Sequence, residues 1–79
     1  MITVTKFYDL NKFMMVIDAV IEHDGIARCL MANCDIINIT KDNSNFVAVI
    51  DNNKISGDLD YVASYIAEYD EALEMGIVA

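Results

Sequence analysis

The residues that most directly suggest catalysis are the single histidine and its neighbour, His23 and Asp24. A histidine beside a carboxylate can act as a general base, but only when a third group aims it at a substrate in a pocket. Neighbours at a turn do not normally point at one substrate, and no motif places a serine or cysteine nucleophile nearby. We therefore expect an exposed turn histidine, no catalytic residue and no enzymatic activity.

A metal site is the second chemistry to consider, because Cys29 and Cys34 follow His23 in the chain. Their C-x4-C spacing lies at the edge of zinc patterns, a fourth ligand is not evident, and paired C-x2-C or H-x3-H elements are missing from the sequence. Two cysteines are also too few for a disulfide framework. We expect both thiols to be free and partly buried, with no metal and no cofactor.

Residues 51–58 have a faint likeness to a calcium-binding loop. Such a loop needs an oxygen ligand at its fifth position, glycine at its sixth and glutamate at its twelfth. Here these positions hold Ile55, Ser56 and Val62. A turn followed by a helix cap explains the same residues.

The feature most typical of function is a row of tyrosines and acids near the C-terminus. Tyrosines recur every four residues at 61, 65 and 69, with acidic residues beside them. Tyrosine is enriched at binding hot spots, and an acidic row steers a basic partner toward a surface. The sequence predicts a partner-binding surface formed by Asp60, Tyr61, Ser64, Tyr65, Glu68 and Glu71. The alternative is that the tyrosines pack at a sheet edge and the acids only keep the protein soluble.

A helix over residues 56–75 must position this row. Ser56, Gly57 and Asp58 form a start signal in which Ser56 or Asp58 supplies the cap oxygen, and Gly76 stands where a helix ends. Between them runs an apolar stripe at 3-4-3-4 spacing, made of Leu59, Val62, Ile66, Tyr69 and Leu73. This pattern predicts an amphipathic helix with one buried face.

The sequence before this helix is rich in strand signals. Residues 2–6 alternate polar and apolar, and two β-branched runs at 36–40 and 46–50 flank turn-forming residues 41–45. These runs predict an N-terminal strand and a hairpin. Residues 26–32 are expected to be a further strand, and residues 51–53 are expected to turn the chain toward the helix.

Residues 10–22 fit both a helix and a strand. As a helix, Asp9 caps it and one face is apolar; as a strand, alternate residues form a wholly apolar face. The β-branched content favours the strand, and the helix stays open. The fold class is α+β in both cases: an antiparallel meander packed by a C-terminal helix, or a β-α-β-β-α order with residues 10–22 helical.

Composition sets the limits on function. The chain has 79 residues, which suit one domain (1–79), with 13 acids, five bases and a net charge of −8. So few bases disfavour direct nucleic-acid binding. All five bases precede residue 56, and six of the acids follow it. We expect a cytoplasmic protein without a signal peptide or membrane span.

A hydrophobic content of 56% is high for so small a chain. Either the core is unusually full, or some apolar surface is meant for another chain. The leading interpretation is a small acidic protein-binding module, an inhibitor or adaptor that occupies a basic surface of a target. In length and charge the chain is similar to small phage inhibitors, including anti-CRISPR proteins, which implies mimicry of nucleic acid. The alternative is a structural homo-oligomer, such as a homodimer.

Overall fold

The strands of the protein form one sheet in chain order. The computed structural model describes residues 3–4 and 9–77. Its elements are β1 (Thr3–Val4), α1 (Leu10–Asp24), β2 (Ile26–Leu30), β3 (Ile36–Asp42), β4 (Asn45–Ile50), β5 (Asn53–Gly57) and α2 (Leu59–Glu74). The strand order is β1-β2-β3-β4-β5; β1 runs parallel to β2, and every other pair is antiparallel. The predicted α+β class with a C-terminal helix is confirmed.

Residues 10–22 belong to helix α1, so the strand interpretation of this segment is wrong and the helical alternative is correct. Oδ1 of Asp9 accepts hydrogen bonds from the backbone N–H groups of Asn11 and Lys12, at 2.9 and 3.4 Å. Gly25 ends the helix with φ at 82°, and its N–H donates to the carbonyl of Ile21 at 2.7 Å. Two caps together with a buried stripe at helical spacing outweigh the β-branched content. The stripe is Phe13, Ile17, Val20 and Ile21.

The predicted hairpin forms, with strands longer than expected. β3 continues to Asp42 and β4 starts at Asn45, so the turn is only Asn43 and Ser44. β2 ends at Leu30, two residues earlier than expected. In the N-terminal segment Thr3 and Val4 are a strand as predicted, while the remaining residues of 2–6 lie outside the described part of the chain.

Strand β5 was not predicted. Residues 51–53 do not lead into the helix; Asp51 and Asn52 form a two-residue turn, with φ of 50° and 67°, and the chain returns alongside β4. Two positive φ angles define a type I′ turn, whose twist matches that of paired strands. The usual signal for this turn is Asn-Gly or Asp-Gly, which Asp51-Asn52 lacks. The element order is therefore β-α-β-β-β-β-α.

Helix α2 runs from Leu59 to Glu74, so the predicted range of 56–75 begins too early, because Ser56 and Gly57 belong to β5. Asp58 is the cap, because its Oδ1 accepts the N–H of Tyr61 at 2.9 Å. At the other end Gly76 has φ at 74°, its N–H donates to Leu73, and the N–H of Ile77 donates to Ala72, at 3.1 and 2.9 Å. This pair of bonds is the Schellman motif, which satisfies carbonyls that the helix end leaves free.

Both helices pack on the same face of the sheet. α1 lies over β2 and β3, and α2 lies over β4 and β5. The core between them is apolar, and among its most fully buried side chains are Ile17, Ile39, Val62 and Ile66. Burying one such side chain stabilises the fold by about 1.5–3 kcal/mol. No polar or charged residue is buried in the described ranges, so their charges all lie at the surface.

The other face of the sheet carries many of the apolar residues that the core does not bury. No described element packs on it, and Ile36 and Val49 there remain 53% and 56% exposed. We call this the open sheet face. It consists of the outward residues of the four longer strands: Ile26, Arg28, Leu30, Ile36, Asn38, Thr40, Asp42, Asn45, Val47, Val49, Lys54 and Ser56. Neither helix of the described chain has the length and apolar content needed to cross a membrane.

Candidate interaction surface on helix α2

The six residues of the predicted partner-binding surface lie together on α2. Residues three and four apart share one side of a helix, and this set lies opposite the buried stripe of Val62, Ala63 and Ile66. Five of the six are exposed and Ser64 is half-buried. We call the set the α2 acidic surface: Asp60, Tyr61, Ser64, Tyr65, Glu68 and Glu71.

The three tyrosines divide into two kinds. Tyr61 and Tyr65 are 51% and 38% exposed, and their ring centroids lie 6.4 Å apart with the planes inclined by 59°. Tyr69 is half-buried and packs against the core. The alternative interpretation, in which the tyrosines only pack against the fold, therefore applies to Tyr69. Two rings remain on the surface as a pair.

The ring of Tyr61 lies against Gly57, the last residue of β5. A Cβ at position 57 would lie only 2.9 Å from Cδ2 of Tyr61, closer than carbon atoms pack. Glycine at the end of the strand therefore leaves room for the ring in this position.

The carboxylates of the α2 acidic surface form no ion pair with a described residue. Within residues 9–77 the one ion pair is that of His23 and Asp24, and α2 itself contains no Lys, Arg or His. Glu71 and Glu74 also lie near the C-terminal end of the helix, where negative charge is unfavourable by about 0.3–1 kcal/mol each. The negative charges at this end of the helix thus slightly lower the stability of the free protein.

Asp70 is a residue that sequence reasoning placed in the acidic segment without a role. Its Oδ1 accepts the N–H of Ala32 at 2.8 Å, which ties the β2–β3 loop to α2. It is half-buried and belongs to the fold rather than to the surface. Only the tertiary structure brings together these two residues, which lie 38 positions apart in the chain.

The two cysteines are free, as expected, but differ in environment. Cys29 is fully buried in the core and Cys34 is exposed in the β2–β3 loop, so the expectation that both are partly buried is wrong. Burial, with a smaller contribution from the charge of Asp70, raises the pKa of Cys29 to about 12. The nucleophile is the thiolate, so Cys29 is chemically inert near neutral pH.

His23 lies in the last turn of α1, with its side chain 83% exposed. Its Nδ1 is 2.7 Å from Oδ1 of Asp24, and this hydrogen bond lowers the pKa of Asp24. The pair is at the protein surface, and no third side chain of the described residues forms a hydrogen bond with it. The described residues contain no cluster of three or more His, Cys, Asp or Glu side chains suited to a metal ion.

A shallow groove runs along the tyrosine side of the α2 acidic surface, lined by Tyr65, Glu68 and Tyr69. It combines two aromatic rings with one carboxylate, which suits an aliphatic or cationic side chain. No protein-family model, curated protein or solved structure matches this chain. The function of the surface must therefore be inferred from its own chemistry.

Proposed function

We propose that this protein is a small, non-catalytic protein-binding module, an inhibitor or adaptor, whose α2 acidic surface occupies a basic surface of a target. The observation that supports this is the combination of unpaired carboxylates and two exposed tyrosine rings on one side of a helix capped at both ends. We place its action in the cytoplasm, where both thiols stay reduced.

The two residue types contribute differently to binding. Unpaired carboxylates attract a cationic partner over a distance of about 8–10 Å at ordinary salt, and so raise the association rate. The rings of Tyr61 and Tyr65 then lose water against the partner, which gives the larger share of the affinity. We expect charge changes to alter association and ring changes to alter dissociation.

A nucleic-acid-binding groove is the kind of basic surface that we favour. Neighbouring positions on a helix face lie about 5–6 Å apart, so Asp60, Glu68 and Glu71 present a row of negative charge in place of phosphates. A target whose groove is occupied in this way could no longer bind its nucleic acid. This would be the mode of action of the phage inhibitors that the chain is similar to in length and charge.

Affinity capture from a host lysate tests the proposal. Wild-type protein, Tyr65→Ala and Glu68→Lys are immobilised, together with Glu22→Lys on α1 as a control with the same change of charge elsewhere. We expect the wild type and Glu22→Lys to retain the same basic protein at about 50 mM salt and to lose most of it at about 500 mM, because exposed charges are screened. Retention that both α2 variants leave unchanged would show that another surface binds.

A structural homo-oligomer is the second candidate, and the open sheet face is the observation that favours it. Five of its twelve residues are apolar, including the exposed Ile36 and Val49. Two copies packed through this face would bury apolar surface, so this association should persist at high salt, whereas binding at α2 should weaken. Sedimentation equilibrium of the wild type and Val49→Lys decides it: a strict monomer at tens of micromolar excludes this candidate.

A further inference from the structure

Among the described residues, nothing pairs with the outer edge of strand β5, which ends beside Tyr61 of the α2 acidic surface. In the described chain it pairs with β4 alone, in a continuous register from Ile50↔Asn53 to Phe46↔Gly57. A free strand edge presents main-chain N–H and C=O groups that another extended segment can bind. The geometry of the edge therefore decides which groups are offered.

The turn before β5 identifies these groups. In a two-residue turn the flanking residues, here Ile50 and Asn53, form a hydrogen-bonded pair. Hydrogen-bonded and non-hydrogen-bonded pairs then alternate along an antiparallel ladder. Lys54 and Ser56 are on the non-bonded pairs, so their N–H and C=O groups point away from β4. The free edge thus offers two donors and two acceptors to an added strand.

Helix α2 provides a wall along this edge. The ring of Tyr61 rests on Gly57 at the end of β5, and Tyr65 follows one helical turn later. The groove of Tyr65, Glu68 and Tyr69 continues in the same direction. A segment paired with β5 would direct every second side chain to this wall and the others to the open sheet face.

The β5 edge lies between charges of opposite sign, negative on the α2 side and positive on the open sheet face. On the α2 side Asp60 and Glu68 have no basic partner among the described residues, whereas Lys54 projects to the open sheet face. The matching segment carries Lys or Arg at the positions that face α2 and neutral or acidic residues at the positions between them. A second copy paired edge to edge would bring two α2 acidic surfaces together, and like charges disfavour it.

We propose that β5 is the docking edge for an extended, basic segment of the target protein. The segment adds a strand to the sheet along β5, pairs with the main-chain groups of Lys54 and Ser56, and covers the tyrosines of α2. This rests on the proposed function and specifies how the basic partner binds. Main-chain pairing adds to the affinity that the tyrosine rings supply, and the α2 wall selects the charge pattern.

A displayed library of random twelve-residue peptides tests the charge pattern on the immobilised wild-type protein. We expect the enriched peptides to alternate Lys or Arg with neutral or acidic residues. Enrichment of acidic peptides, or of no peptide, would overturn both this inference and the proposed function. The best peptide is then synthesised with and without N-methyl groups on alternate residues, which remove main-chain donors but leave the side chains in place.

The N-methylated peptides test whether the peptide pairs with the main chain of β5. Only every second residue of an added strand donates its N–H to β5, so N-methylation of one of the two alternating sets of residues (the two registers) should weaken binding about tenfold for each hydrogen bond lost. Ser56→Pro should do the same, because it removes an outward N–H that β4 does not use, whereas Ser56→Ala should bind as the wild type does. The N-methylated peptides decide the matter on wild-type protein even if Ser56→Pro does not fold.

Two other outcomes separate the inference from the proposed function. If Glu68→Lys abolishes peptide binding while N-methylation in both registers has no effect, the acidic surface binds its partner without strand addition, and only this inference fails. If the protein dimerises and Ser56→Pro abolishes the dimer, the occupant of the edge is a second copy, and the inference is overturned.

Discussion

Raising the pH should destabilise the fold through Cys29. The thiol is fully buried, and its pKa is raised to about 12 from an ordinary value of 9.0. In the unfolded chain the same thiol ionises near its ordinary value. The folded state therefore holds a proton that the unfolded state releases between these two values, and stability must fall with pH in this window.

The size of the effect follows from the two pKa values. Stability from the protonated thiol is fully present below pH 9.0 and decreases as the pH rises toward about 12. One pKa unit corresponds to about 1.4 kcal/mol, so a change from about pH 8 to about pH 10.5 should cost roughly 2 kcal/mol. For a domain of this size that is a large fraction of the free energy of unfolding.

Urea unfolding followed by circular dichroism at both pH values measures this cost. The quantity of interest is the difference between the wild type and Cys29→Ala, because the contributions of all other groups cancel in it. The wild type should lose about 2 kcal/mol more than Cys29→Ala, and Cys34→Ala serves as the matched control at the exposed thiol. Equal losses in the wild type and Cys29→Ala would refute the burial of Cys29.

Three further outcomes test the fold directly. In the native protein near neutral pH a thiol reagent should label Cys34 only, and Cys29 should react after denaturation; two labelled thiols in the native state would contradict this. Asp9→Ala should cost about 1 kcal/mol of unfolding free energy, because two N–H groups of α1 lose their acceptor, while Asp18→Ala in mid-helix should cost far less. Gly25→Ala should also cost about 1 kcal/mol, since φ at this residue is positive; an unchanged urea midpoint would show that α1 ends differently.

The sequence was most informative about α2, because every feature that defines this helix is local. The cap at Asp58, the stripe that includes Val62 and Ile66, and the glycine at 76 all lie within one element and act over one to four residues. The same spacing alone places the six surface residues on one side of the helix. Local rules therefore predicted both the helix and the geometry of its outward side.

The sequence did not decide the structure of residues 10–22, because apolar residues there satisfy periods of both two and 3.6. The sheet needs cover along its whole inner face, and α2 reaches only β4 and β5. A helix at 10–24 covers β2 and β3 and buries Ile17 beside Ile39, neither of which exposes any surface. A strand would have widened the sheet without covering it.

Which residues of the acidic segment serve the fold, and which remain at the surface, also depended on the tertiary structure. The spacing of the sequence already places Tyr69 in the apolar stripe and Tyr65 beside it, but it assigns no role to Asp70. The structure confirms that Tyr69 packs against the core, and the β2–β3 loop brings the N–H of Ala32 to Asp70. Sequence by itself determined an acidic helix with tyrosines along it. Only the packing of distant elements decided that Asp70 is used within the fold, because the N–H group that it accepts lies 38 positions away in the chain.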